Sequence, residues 1–181
     1  MRASVRPKGT VHYTNDGRIV LVTGGAQGIG WSICRAFAAS GAKVVCADVA
    51  MERAADLPPG VEFRHTDTSD EHACRAVVEW TIDAFGGLDV LVNNASIQPS
   101  QSYTAVDALD SQLAERMVGV NFMGYTYMAK YALRQMTQQQ SGVVINIASG
   151  LVPRPSGRIC CSRCWPPRTR RTNESPTIWP M

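Results

Sequence analysis

Lysine is almost missing from this chain: Lys8, Lys43 and Lys130 are the only three in 181 residues, beside 15 arginines. Histidine is as scarce, at His12, His65 and His72. No tyrosine is followed by a lysine four positions on, because those positions hold Gly17, Asp107, Ala129, Tyr131 and Gln135. No apolar run comes near the roughly 20 residues of a membrane-spanning helix, and the first residues lack the apolar core of a secretory signal. A cytoplasmic chain without a membrane partner is expected. There are no internal repeats.

Cysteine is not scarce, yet its placement excludes the chemistry that six cysteines suggest. Cys34, Cys46 and Cys74 fall inside apolar-patterned segments, where a small buried thiol is expected. Cys160, Cys161 and Cys164 crowd together, but no histidine and no second Cys-x-x-Cys stands near them, so no metal site is expected. The net charge of +3 hides a split: residues 1–152 carry 12 basic and 14 acidic side chains, while 153–181 carry six arginines against Glu174 alone. Six arginines without lysine, interrupted by prolines and without helical patterning, make a poor nucleic-acid surface. No nucleic-acid partner is expected. With 45% apolar residues, the chain is long enough for one globular domain with a well-buried core.

What is present is organised around the stretch from Ile19 to Gly30, where an apolar run stops in glycines and an amphipathic segment begins. This reads as a strand, a phosphate-cradling turn and the first turn of a helix. Gly24 lets the chain turn sharply, Gly28 lets the backbone approach a pyrophosphate, and Gly30 lets the helix pack closely on the strand. The unpaired N–H groups and positive dipole end of that helix suit phosphate charge.

Residues 1–17 are polar and broken by Pro7, Gly9 and Asn15-Asp16-Gly17, and they read as a flexible arm. After the turn, Ile29, Ile33, Ala36, Phe37 and Ala38 recur at helical spacing until Gly41. Lys43 to Asp48 is the length of a buried parallel strand. Val61 to Thr66 is a third strand, followed by a helix through Ala73, Val77, Trp80, Ile82 and Phe85 that Ser69 or Asp70 caps. Leu88 to Val92 is the fourth strand, residues 107–138 a long helix, and Val143 to Ile147 the fifth strand. Strands alternating with helices imply an α/β fold, a parallel sheet with helices on both faces. Beyond Pro153, the last 29 residues hold six of the ten prolines and no periodicity at 2 or 3.6, so residues 153–181 read as an irregular basic tail.

Several of these motifs, in order across residues 18–150, resemble the short-chain dehydrogenases/reductases. Thr23-Gly24-x-x-x-Gly28-x-Gly30, with Gln27 and Ile29 inside it, matches that family's cofactor turn. Asp48, 24 positions after Gly24, matches the acid that holds the adenosine ribose. A carboxylate there accepts from both ribose hydroxyls and repels a 2′-phosphate, which implies NAD over NADP. Asp67-Thr68 resembles the adenine-contacting pair. Asn93-Asn94-Ala95-Ser96 resembles the family's Asn-Asn-Ala-Gly loop, with Ser96 in place of glycine. Asn121 corresponds to the helix asparagine that supports a water-mediated proton relay. Ser149 corresponds to the catalytic serine, whose hydroxyl positions and polarises a carbonyl or alcohol. The resemblance thus implies a Rossmann-like, doubly wound NAD-binding domain over residues 18–152, catalytic positions Ser149 and Asn121, and a small carbonyl or secondary-alcohol substrate.

The family also carries a Tyr-x-x-x-Lys about a dozen residues after the serine, where the tyrosine handles the proton and the lysine lowers its pKa and binds the nicotinamide ribose. This sequence has none. Family members continue with a further helix and two more strands, so about five strands and an incomplete sheet are expected here, with the fifth strand an exposed edge. The expectation is a truncated or frame-shifted member, marginally stable, in which the family's homo-oligomer is doubtful. Three readings stand side by side: an NAD(H)-dependent oxidoreductase with a crippled proton donor, a non-catalytic NAD-binding or interaction protein, and an unstable fragment.

Overall fold

The computed structural model describes residues 13–148, together with the backbone of two short strands at 152–153 and 159–160. Five strands lie in one parallel sheet: β1 (Ile19–Thr23), β2 (Lys43–Asp48), β3 (Val61–His65), β4 (Val90–Asn93) and β5 (Val143–Asn146). Their order is β3-β2-β1-β4-β5. The order reverses between β1 and β4, and a doubly wound sheet opens a crevice at such a point, beyond the carboxyl ends of its strands.

Strand alternation feeds two cores. Ile19 and Leu21 of β1, with Val45 of β2 and Leu91 of β4, face one side. They pack there with Cys74, Val77 and Val78 of helix α2 (Glu71–Phe85) and Met128, Ala132 and Met136 of helix α4 (Gly124–Gln138). Val20, Val22, Val44, Cys46, Val90 and Val92 face the other side, with Cys34 of helix α1 (Gly28–Ala39). Each of the larger side chains buried this way contributes roughly 1.5–3 kcal/mol. The expected Rossmann-like parallel sheet with helices on both faces is therefore present, and Cys34, Cys46 and Cys74 are core residues.

The helix ends follow local chemistry. Asp70, not Ser69, caps α2 by accepting the His72 N–H at 2.8 Å, and Gly86 closes the helix at φ +89°. Residues 107–138 are not one helix. Asp110 accepts the Leu113 N–H at 2.8 Å and so starts helix α3 (Ser111–Val118) later than the apolar spacing suggested, after a separate 3₁₀ turn at Val106–Ala108. A π turn, Gly119–Met123, then joins α3 to α4. Among the described residues β5 borders the sheet, and its Val143 and Ile145 are exposed. No described helix is long and apolar enough to cross a membrane.

A second compact unit begins at Ala148. It contains an antiparallel pair, β6 (Val152–Pro153) with β7 (Ile159–Cys160). The sequence reading placed no strand there, because two-residue strands are too short to show a period of 2.

Candidate functional site

At the switch between β1 and β4 lies a cleft of about 340 Å³, bounded by the glycine turn, the ends of β2 and β3, the loop after β4 and Val120 of the π turn. Gly24, at φ +63°, leads the chain out of β1, and a Cβ there would stand 2.8 Å from Ala95 Cα. A Cβ on Gly30 would collide with the Gly24 carbonyl, so this glycine lets α1 seat on the strand end. Gly28 differs from both: at φ +56°, no described atom beyond its chain neighbours and its own helix backbone lies within 4 Å of where its Cβ would be. Gln27 occupies the position before α1 in extended conformation, and its side chain makes no cap. Gln27 and the exposed Ile29 line the cleft.

Thr23 and Asn94 tie the turn to the loop after β4. The Thr23 hydroxyl oxygen accepts the backbone N–H groups of Asn94 and Ala95, each at 3.0 Å. The Asn94 amide donates to the carbonyls of Thr23 and Gly24, also at 3.0 Å. Its nitrogen is therefore occupied with the turn, while Ala95 and Ser96 form the wall beside it. Asp48 closes the opposite side. Its two carboxylate oxygens accept the N–H groups of Ala26 and Ala50 at 2.9 Å, and the residue is 7% exposed.

Asp67 holds an Asx turn, its Oδ1 accepting the Ser69 N–H at 2.9 Å and the Ser69 hydroxyl at 2.7 Å. Thr68 is buried behind it, and its carbonyl accepts the Cys74 thiol at 3.3 Å. Burial, helped by nearby carboxylates, pushes that thiol up to about 12. Asp48 and Asp67 are the charged residues of the described cleft wall, which carries no Lys, Arg or His.

Asn121 is committed to the same loop. Its Oδ1 accepts the Ile97 N–H at 2.8 Å and its Nδ2 donates to the Ile97 carbonyl at 2.9 Å. Ser149 lies outside the described residues. Lys130 of α4 reaches across to α2: it donates to Glu71 at 2.6 Å, which also accepts the Tyr131 hydroxyl at 2.9 Å. The Lys130 hydrogen bond, then that of Tyr131, holds the Glu71 carboxyl below the usual carboxylate value.

Two supporting glycines escaped the sequence reading, and a third residue, Asn93, was legible only as the first of the Asn-Asn-Ala-Ser loop. Gly25 packs on two sulfurs, and Gly124 brings α4 against the loop of Thr68. Asn93 is wholly buried, its amide nitrogen donating to the Tyr125 carbonyl at 3.3 Å and to Asn146 Oδ1 at 3.0 Å. The only signals for the two glycines were a doubled glycine and a glycine inside a helix.

Comparison with known proteins agrees with this architecture. The family described as short chain dehydrogenase matches residues 18–160. An uncharacterized oxidoreductase of Thermotoga maritima is 36% identical over 141 residues, covering 74% of this chain and 54% of that protein. (+)-Borneol dehydrogenase 1 of Salvia officinalis is 37% identical over 138 residues, covering 74% and 53%. Fluoren-9-ol dehydrogenase of a Terrabacter species is 37% identical over 145 residues, covering 74% and 40%. The chain spans about half the length of the curated relatives it matches. With a match that runs from the first strand through the fifth and relatives above 30% identity, the chain belongs to the short-chain dehydrogenase family.

Proposed function

We propose that this chain binds NAD(H) in the cleft at the β1–β4 switch, as part of an oxidoreductase acting on a carbonyl or secondary alcohol. The observation that carries the reading is Asp48, a nearly buried carboxylate held by two backbone N–H groups on a cleft wall with no cation among its described residues. Such a carboxylate accepts from a vicinal diol and repels a phosphate at the 2′ position. The open Gly28 and the uncapped start of α1 fit a pyrophosphate, since first-turn N–H groups have no intrahelical acceptor. Asp67, Thr68, Ala95 and Ser96 would bound the adenine and nicotinamide ends.

When bound, the dinucleotide supplies or accepts the hydride. Ser149 is the proposed hydroxyl that orients the carbonyl or alcohol oxygen, and Asn121 the residue that keeps the Ile97 loop in place for a proton relay. The relatives named as borneol and fluoren-9-ol dehydrogenases support an alcohol or carbonyl substrate. One sequence fact favours a second reading, a non-catalytic dinucleotide-binding protein: no Tyr-x-x-x-Lys occurs. Loss of a general acid lowers turnover by about 10²–10⁴.

Titration calorimetry with NADH, NADPH and ADP-ribose, followed by a hydride-transfer assay on secondary alcohols, tests both. NADH is expected to bind at least about tenfold tighter than NADPH, a difference of about 1.4 kcal/mol. Equal or tighter binding of NADPH overturns the NAD assignment. Turnover at rates of about 1–10³ s⁻¹ would overturn the second reading.

A further inference from the structure

Gly25 follows the left-handed Gly24 and precedes Ala26, whose N–H is held by Asp48. A Cβ built on Gly25 would stand 2.8 Å from Cys46 Sγ and 2.9 Å from Cys34 Sγ, closer than real Cβ atoms approach any neighbour. The two sulfurs come from the elements that flank the turn, Cys34 from α1 and Cys46 from β2, and both residues are wholly buried. They meet directly beneath the Gly25 backbone. Hydrogen bonding to Cys34, with burial adding to it, pushes the Cys46 thiol up, so that it stays a neutral S–H group. Neither sulfur is presented as a nucleophile, since buried thiols in apolar surroundings are inert. What the pair does is mechanical. The turn is set from below by two sulfurs and from the side by Asp48, which lies two residues beyond Cys46 on the same strand.

We propose that Cys34 and Cys46 are positioning residues for the dinucleotide, their paired sulfurs forming the floor that sets the height of the turn from Gly24 to Gly28. The inference rests on the NAD(H) reading above and goes beyond it, in that cofactor affinity depends on the volume beneath Gly25. Cysteines that merely fill a core would leave affinity indifferent to that volume at equal stability. A floor couples the two: a methyl group added above it must lift the turn, and removing the sulfurs must let the turn settle back.

The experiment uses the full chain in four forms: wild type, Gly25→Ala, Cys34→Ala/Cys46→Ala, and the triple variant. ADP-ribose affinity is measured by calorimetry, adenosine affinity by NMR titration, and folding by circular dichroism. An added methyl overpacks the space above the sulfurs, and the expected weakening of ADP-ribose binding in Gly25→Ala is about tenfold. Adenosine, which lacks the pyrophosphate, should bind as it does to wild type. The triple variant should recover most of the lost ADP-ribose affinity. A folded Gly25→Ala chain with wild-type ADP-ribose affinity overturns the proposal, as does a folded triple variant no better than Gly25→Ala. Equal weakening toward adenosine also overturns it, because the effect would then be general. If Gly25→Ala does not fold, alkylation of the wild-type thiols decides. At equal occupancy, ADP-ribose should slow labelling of Cys34 and Cys46 more than adenosine does; equal slowing by the two ligands, or none by ADP-ribose, overturns the floor. A wild-type chain that binds no ADP-ribose overturns the dinucleotide reading and this inference together, whereas binding without rescue overturns the inference alone.

Discussion

The side-chain amide of Asn94 donates to the carbonyl oxygen of Gly24 at 3.0 Å, joining two loops 70 residues apart. The same nitrogen reaches the Thr23 carbonyl, so one side chain satisfies two acceptors at the mouth of the cleft. Asn94→Ala leaves both carbonyls without this donor and should destabilise the fold by about 1–3 kcal/mol. Asn94→Asp keeps the size but turns an acceptor toward two carbonyl oxygens, and should cost more. Urea denaturation of the three proteins checks the order.

Asp48 predicts a specificity change. Asp48→Asn preserves shape, removes the negative charge and sets an amide where two backbone N–H groups need acceptors. Hydrogen bonds to charged groups contribute about 1.5–3 kcal/mol, so NADH binding should weaken by roughly tenfold or more. NADPH should lose less, narrowing the ratio between the two. Calorimetry on the same two ligands measures it, and an unchanged ratio would remove Asp48 from the discrimination.

Gly124 and Gly119 give a matched pair of helix substitutions. A Cβ at Gly124 would stand 2.9 Å from the Thr68 carbonyl oxygen and 3.0 Å from Thr68 Cβ, so Gly124→Ala must push α4 off the loop that precedes α2. The expected loss is about 1–3 kcal/mol. At Gly119 the nearest atom, Ser69 Cβ, is 3.5 Å away, which is ordinary contact. Gly119→Ala should be neutral or stabilising by up to about 1 kcal/mol, the helix propensity gain. Thermal melts of the two variants should move in opposite directions, or one should not move at all.

The Glu71–Lys130 pair predicts an acid-sensitive link between α2 and α4. Hydrogen bonds from Lys130, then Tyr131, lower the folded carboxyl below its ordinary value of 4.5. A depressed carboxyl stabilises the fold above its unfolded pKa, and that contribution is lost as pH falls through the folded value. The Lys130 ammonium is raised above 10.5 by the Glu71 hydrogen bond, so its share is complete below that pH and is lost as pH rises through the folded value. Glu71→Gln should therefore flatten the pH dependence of the denaturation midpoint below about pH 4.5. Identical acid limbs for wild type and variant would show that the pair adds nothing.

Much of the fold was settled by local pattern alone. Short apolar runs bounded by glycines and polar residues mark β1 to β5, the 3.6-residue spacing after Gly28 marks α1, and the Asp67-Thr68-Ser69-Asp70 run announces the cap of α2. These are legible because strand burial and helix capping act within a few residues of sequence. The glycines at 24, 28 and 30 were legible for the same reason, since a turn between strand and helix needs its permissive residues in place. What residues far apart do to one another was decided only by the tertiary structure. Strand order brings Asn94 to Gly24, helix packing brings Gly124 to Thr68, and the seating of α1 on β2 brings Cys34 and Cys46 under Gly25. Asn121 is a polar residue in a helix until the π turn and the loop after β4 set it against Ile97. Periodicity records that a side chain is buried, not which neighbour it meets, because the partner is chosen by chain topology and close packing across dozens of residues.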